Sequence, residues 1–78
     1  MNYTQFKTIM PYISSDLIAW IAAKQQITEQ EAMMKLYASN LYAMMEQEDM
    51  KLWQYSTAML YALFEQEEKT GRIHFPEV

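Results

Sequence analysis

Residues 28–45 read TEQEAMMKLYASNLYAMM. Thr28 is followed three residues later by Glu31, which is the pattern of a capping box. In that motif each side chain accepts a hydrogen bond from the backbone amide of the other residue at a helix start. Large apolar side chains then recur every three or four residues as far as Met45, the spacing of one helical face. The stretch predicts an α-helix from 29 to about 47, with a favourable i, i+4 pair between Glu31 and Lys35.

Upstream, a second capping pattern joins Asn2 to a glutamine at position 5. Phe6 begins an apolar stripe with helical spacing, but Pro11 interrupts it. A proline inside a helix removes a backbone hydrogen bond and clashes with the preceding turn. We therefore expect a short helix over about 3–10 and a second helix from Pro11 or Ser15 to about Gln25. A single kinked helix is the alternative.

Downstream, two polar residues and the single glycine mark the element boundaries. Asp49 is expected to cap a short turn over 50–55, and Ser56 is expected to cap a helix over 57–70. The only glycine, Gly71, suits the left-handed position that ends many helices. Glu65–Lys69 and Glu68–Arg72 are spaced as i, i+4 ion pairs. Residues 72–78 are expected to be extended.

The fold class follows from these elements and from what the chain lacks. Only one glycine and two prolines interrupt 78 residues, and no β-branched run alternates with the period of a strand. We predict one all-α domain over 1–78. It should be a compact bundle of three to four helices with a short extended C-terminal tail.

Composition argues against most site chemistry. The chain has no cysteine, one histidine and one glycine, so it offers no thiolate ligand, no second imidazole and no glycine-rich phosphate loop. His74 lies near the end of the chain, and it is expected to be a surface or tail residue. We predict no catalytic, cofactor-binding or metal-binding residues, and a protein that is not an enzyme.

The charge distribution limits the possible partners. Residues 1–39 are neutral overall, and residues 40–78 carry the entire net charge of −4. Because the six basic residues are scattered, direct nucleic-acid binding is not expected. The longest early apolar run, Leu17–Ala23, is far shorter than a membrane span of about 20 residues. We expect a cytoplasmic protein with no membrane partner.

Two stretches are similar: residues 41–49 read LYAMMEQED, and residues 60–68 read LYALFEQEE. Six of nine positions agree at an offset of 19, but the flanking residues do not match. We interpret the stretches as two apolar helices that each run into an acidic end. Those ends form either a solvated rim or an acidic docking rim for a basic partner, and its members are Glu46, Glu48, Asp49, Glu65, Glu67 and Glu68.

Large side chains are abundant for so small a core. The chain contains 8 Met, 3 Phe, 2 Trp and 6 Tyr, and methionine and aromatic residues are enriched in protein interfaces. Asn40 lies on the apolar stripe, where a buried asparagine either specifies the register of a helix pair or forms a hydrogen bond with a neighbouring turn or loop. Trp20, Trp53 and Tyr55 are expected in the core first, and any of them that is exposed becomes an interface candidate. The candidate interface consists of Tyr37, Leu41, Tyr42, Met45, Trp53 and Tyr55.

From Lys35 onward the sequence resembles a family of small bacterial proteins, mostly from Gram-positive anaerobes and gut species, with no known activity. The matching features are Leu36-Tyr37 with Ser39, then Lys51-Leu52-Trp53, Ser56 before Leu60-Tyr61-Ala62-Leu63, and Thr70-Gly71 before Phe75-Pro76-Glu77. None of these residues carries chemistry, so the resemblance implies no activity. The resemblance also implies that genes of this kind lie near small toxin–antitoxin-like or mobile-element genes, and such a setting would imply a binding role.

We therefore expect a protein-interaction module that buries a Met/Tyr/Leu helix face in a homo- or hetero-complex. Polar substitution of Tyr42 and Met45 should then break the complex and spare the fold. The alternative is an acidic, antitoxin-like or nucleic-acid-mimicking regulator that binds a basic protein. An enzyme would need a concave pocket that holds two acids, or His74 beside an acid.

Overall fold

Four α-helices and two 3₁₀ turns make up the fold in a computed structural model, which describes residues 2–75. No strand occurs within this range, and the predicted all-α bundle is confirmed. The helices are α1 (Tyr3–Gln25), α2 (Glu29–Tyr37), α3 (Asn40–Met45) and α4 (Thr57–Thr70), and the 3₁₀ turns are Glu48–Met50 and Leu52–Gln54.

α1 is one helix of 23 residues that runs through Pro11. The prediction of two helices here is wrong, and the single-helix alternative is correct. The predicted capping box starts the helix, since the Asn2 side chain accepts from the Gln5 amide at 2.8 Å. Phe6 and Leu17 on either side of the proline are both buried in the core. Packing on both sides of Pro11 therefore outweighs the local cost of the proline, about 3 kcal/mol.

The predicted helix over 29–47 is instead two helices. Its start is confirmed, because the Thr28 and Glu31 side chains form the capping box. The chain then leaves the helix after Tyr37 and restarts at Asn40, with Ser39 as the N-cap of α3. The Ser39 hydroxyl donates to the Leu36 carbonyl at 2.6 Å and accepts from the Tyr42 amide at 3.1 Å. One side chain thus serves the end of α2 and the start of α3.

The chain between α3 and α4 differs from its prediction at the start and agrees at the end. Asp49 caps no turn, because the first 3₁₀ turn has no side-chain cap. Leu52 in the second turn is only 2% exposed, so the connection is anchored to the core. Ser56 caps α4 as predicted, and Gly71 ends it in the left-handed region at φ 75°. Residues 72–75 form neither helix nor strand, and the rest of the predicted tail lies outside the described residues.

The core takes apolar side chains from all four helices and from the second 3₁₀ turn. The radius of gyration of the Cα atoms, 12.1 Å, is close to the value of about 11.5 Å expected for a folded chain of 78 residues. Two expectations about individual residues fail: Trp20 is 38% exposed, and Asn40 is exposed at the start of α3. The fully buried large side chains are Leu17, Ile21, Leu36, Leu41, Met45, Leu52, Leu60 and Phe64.

Candidate interaction groove

A groove of about 720 Å³ lies between the first four turns of α1 and the pair α2–α3. The residues of α1 that line one wall of the groove recur every three or four positions, so they form one continuous stripe along the helix. The members of this wall are Tyr3, Phe6, Lys7, Met10, Pro11, Ser14, Ser15 and Ile18. The stripe adjoins the core face of α1, and Phe6 belongs to both.

The opposite wall is formed by two short helices. α2 contributes positions four residues apart at Glu29, Met33 and Tyr37, together with Gln30. α3 contributes Tyr42, and Glu46, the C-cap of α3, follows four residues later. Both walls therefore show the side-chain spacing of a surface against which another helix can pack.

The groove contains large apolar side chains that remain open to solvent. Tyr3 is 67% exposed, Tyr37 is 51% exposed and Met33 is 36% exposed. Met10 and Ile18 are half-buried between them. Grouped exposed apolar residues of this kind mark interaction or ligand sites, whereas scattered ones are ordinary.

The surroundings of Tyr42 in the groove shift the pKa of its side chain. Burial raises the pKa of its phenol above 10.0, and the nearby Glu46 carboxylate and Tyr37 raise it further. A hydrogen bond with the Ser14 side chain acts in the opposite direction. The ring also packs against Tyr37, with ring centres 4.7 Å apart. The phenol is therefore neutral near pH 7, and it offers a groove ligand a hydroxyl rather than a charge.

The structure separates the predicted interface residues into three groups. Tyr37 and Tyr42 line the groove. Leu41 and Met45 are 0% and 1% exposed, so their place in the candidate interface is corrected: both side chains stabilise the core. A polar residue at Met45 would therefore damage the fold itself.

Trp53 and Tyr55 form the third group. Both are half-buried, and neither lines the groove. The Trp53 indole N–H is buried and meets no acceptor among residues 2–75. Their role in an interface stays a prediction.

The acidic rim residues have different surroundings in the fold. Glu67 accepts hydrogen bonds from the backbone amides of Asn40 and Leu41 at 2.8 and 3.0 Å. It thereby caps α3 from α4. Glu65 forms its predicted pair with Lys69, at 3.7 Å. Glu46 lines the groove instead.

Glu68 on α4 forms polar contacts with the ends of α1 and α2. Its carboxylate lies 3.3 Å from the Lys35 ammonium and accepts from the Gln25 amide at 2.6 Å. Lys35 therefore pairs with Glu68 and not with Glu31 as predicted. The predicted Glu68–Arg72 ion pair does not form among residues 2–75. Two of the six rim carboxylates, Glu67 and Glu68, hold helices together.

Sequence reasoning missed the α1 wall of the groove. The break predicted at Pro11 divides the stripe that begins at Phe6, and the predicted interface contains no residue of α1. A usable signal was present, because Tyr3, Lys7, Met10, Ser14 and Ile18 continue one helical face across the proline. That face mixes polar and apolar residues, as ligand-binding surfaces do.

Residues 2–75 bring no group of three His, Asp or Glu side chains to metal-binding distance. His74 is exposed, and its backbone amide donates to Gln66 at 2.7 Å. Within the described range, no helix has the length and apolar character needed to cross a membrane.

Neither a family model nor a curated protein nor a solved structure matches the chain. The resemblance to small bacterial proteins stays a prediction.

Proposed function

We propose that this protein is a non-enzymatic, cytoplasmic interaction module that binds a protein partner through the groove between α1 and α2–α3. The observation that carries the proposal is the grouping of Tyr3, Met33 and Tyr37 around one concave surface while each remains exposed. Aromatic and methionine side chains supply much of the binding energy of interfaces when a partner removes them from water.

The groove also has the support that an interface needs. Its floor includes Phe6, which is 3% exposed and packed into the bundle. Its far wall is held by the Ser39 and Glu67 caps of α3. A surface fixed in this way loses little conformational entropy on binding, and this favours affinity.

The alternative function, an acidic regulator of a basic protein, has weaker support. Glu67 and Glu68 are engaged inside the bundle, and Glu65 already has a lysine partner. The carboxylates most available to a basic partner are consequently those beside the groove and in the first 3₁₀ turn.

The experiment is a pull-down of the tagged protein from native lysate at physiological salt, with mass spectrometry and light scattering on the eluate. It compares Met33→Gln with Met34→Gln. The two residues are neighbours on α2 and both are exposed, but only Met33 lines the groove.

The proposal is supported if one protein copurifies in stoichiometric amount with wild type and with Met34→Gln but not with Met33→Gln. A partner retained equally by all three would place the interface elsewhere. If the wild-type protein elutes alone as a monomer, the proposed function is wrong.

A further inference from the structure

We infer that the occupant of the groove is an amphipathic helix of about four turns with basic side chains beside its apolar face. This inference rests on the proposed function, because it names the partner chemistry of the same groove. Three observations carry it: the spacing of the walls, the length of the groove and the charge on the α2–α3 side.

The walls have the form of a helix-packing site. Residues on α1 line the groove at every turn from Tyr3 to Ile18. The opposite wall follows at intervals of four along α2 and again from Tyr42 to the C-cap of α3. Such rows are the ridges between which the side chains of another helix insert. Fifteen helical steps at about 1.5 Å each make the α1 wall about 22 Å long. A docked helix of about 15 residues would match it with apolar residues at i, i+3, i+4 and i+7.

The groove also shows a preference in charge. Glu29 and Glu46 lie on the α2–α3 side, and neither forms an ion pair with any residue in 2–75. The only cation of the lining, Lys7, is on the α1 side and stacks over the Tyr3 ring at 5.4 Å. A helix with Lys or Arg toward α2–α3 would meet both carboxylates, while an acidic helix would be repelled.

The same charges distinguish a basic helix from a second copy of the chain. Each copy carries a net charge of −4, so self-association brings like charges together. A small apolar molecule would fit the volume, but it would leave the two carboxylates without a partner. The test below distinguishes both of these occupants from a basic helix.

The test measures fluorescence anisotropy of labelled synthetic peptides of about 15 residues, the length that spans the groove. The peptides share one leucine face at i, i+3, i+4 and i+7 and differ only in the flanking residues, which are lysine, serine or glutamate. Each is titrated with wild type, Met33→Gln, Met34→Gln and Glu46→Gln at low and moderate salt. Sedimentation of the protein alone reports self-association, and a fluorescent fatty acid serves as the small-molecule probe.

We expect the lysine peptide to bind at least about tenfold more tightly than the glutamate peptide, with the ratio shrinking as salt rises. Met33→Gln should weaken binding at least about fivefold, and Met34→Gln by less than about twofold. Glu46→Gln should reduce the preference for lysine and leave binding of the serine peptide unchanged.

Equal affinity for the lysine and glutamate peptides overturns the inference, and so does equal weakening by Met33→Gln and Met34→Gln. A dimer that Met33→Gln abolishes identifies a second copy as the occupant and overturns the inference. Binding of the fatty acid without binding of any peptide identifies a small molecule and also overturns it. If no peptide binds but a Met33-dependent lysate partner persists, this inference is wrong and the proposed function stands. The reverse result, peptide binding without a lysate partner, counts against the proposed function alone.

Discussion

Replacing Glu67 with alanine removes a cap that joins two helices distant in sequence. Its carboxylate accepts from the Asn40 amide at 2.8 Å and from the Leu41 amide at 3.0 Å. The first amides of a helix have no partner within the helix, so Glu67→Ala leaves two of them without a protein acceptor. It also removes a negative charge from the positive end of α3.

The magnitude follows from the two bonds. A hydrogen bond to a charged group contributes about 1.5–3 kcal/mol. Asn40 is exposed and its amide can bond to water after the substitution, whereas Leu41 is 0% exposed. We therefore expect Glu67→Ala to lower the free energy of unfolding by about 2–3 kcal/mol. Glu67→Gln keeps one acceptor, and it should cost about half as much.

The assay is urea denaturation followed by circular dichroism. For a protein of this size the expected change moves the midpoint by about 1–2 M. Glu65→Ala is the matched control, because its pair with Lys69 is an exposed i, i+4 bridge at 3.7 Å worth about 0.3–0.5 kcal/mol. Amide hydrogen exchange at Asn40 and Leu41 should accelerate only in the Glu67 variants. If Glu67→Ala costs no more than Glu65→Ala, the cap does not stabilise the fold and this reasoning is wrong.

Three further substitutions test other parts of the structure. Met45→Ala should lower the free energy of unfolding by about 2–5 kcal/mol in the same assay, because Met45 lies in the core; a loss below about 1 kcal/mol would contradict that position. Burial raises the Tyr42 pKa, so its stabilising contribution is fully present below the unfolded pKa and is lost as pH rises through the higher folded value. Wild type should therefore lose more thermal stability above pH 10 than Tyr42→Phe, and parallel curves would contradict the shift. Pro11→Ala restores the missing helical amide and should raise the free energy of unfolding by about 1–3 kcal/mol; calorimetry showing no gain would mean that Pro11 carries no local cost.

Local chemistry at chain positions 2–5, 28–31, 56 and 71 determined the starts of α1, α2 and α4 and the end of α4. Each of these signals acts between residues at most four apart, so it is complete in the sequence. The helical class also followed from composition, since one glycine and two prolines leave long uninterrupted runs.

The tertiary structure decided where those runs break and which faces remain open. The α2–α3 break depends on Ser39 together with Glu67, a residue 27 positions after Asn40, and no local pattern can show that they meet. Pro11 stays inside α1 because Phe6 before it and Leu17 after it are both packed in the core by other helices. Leu41 and Tyr42 are neighbours of similar character, yet one is buried and the other lines the groove. Periodicity identifies an apolar face, but only the packing of the other helices determines how much of that face is covered.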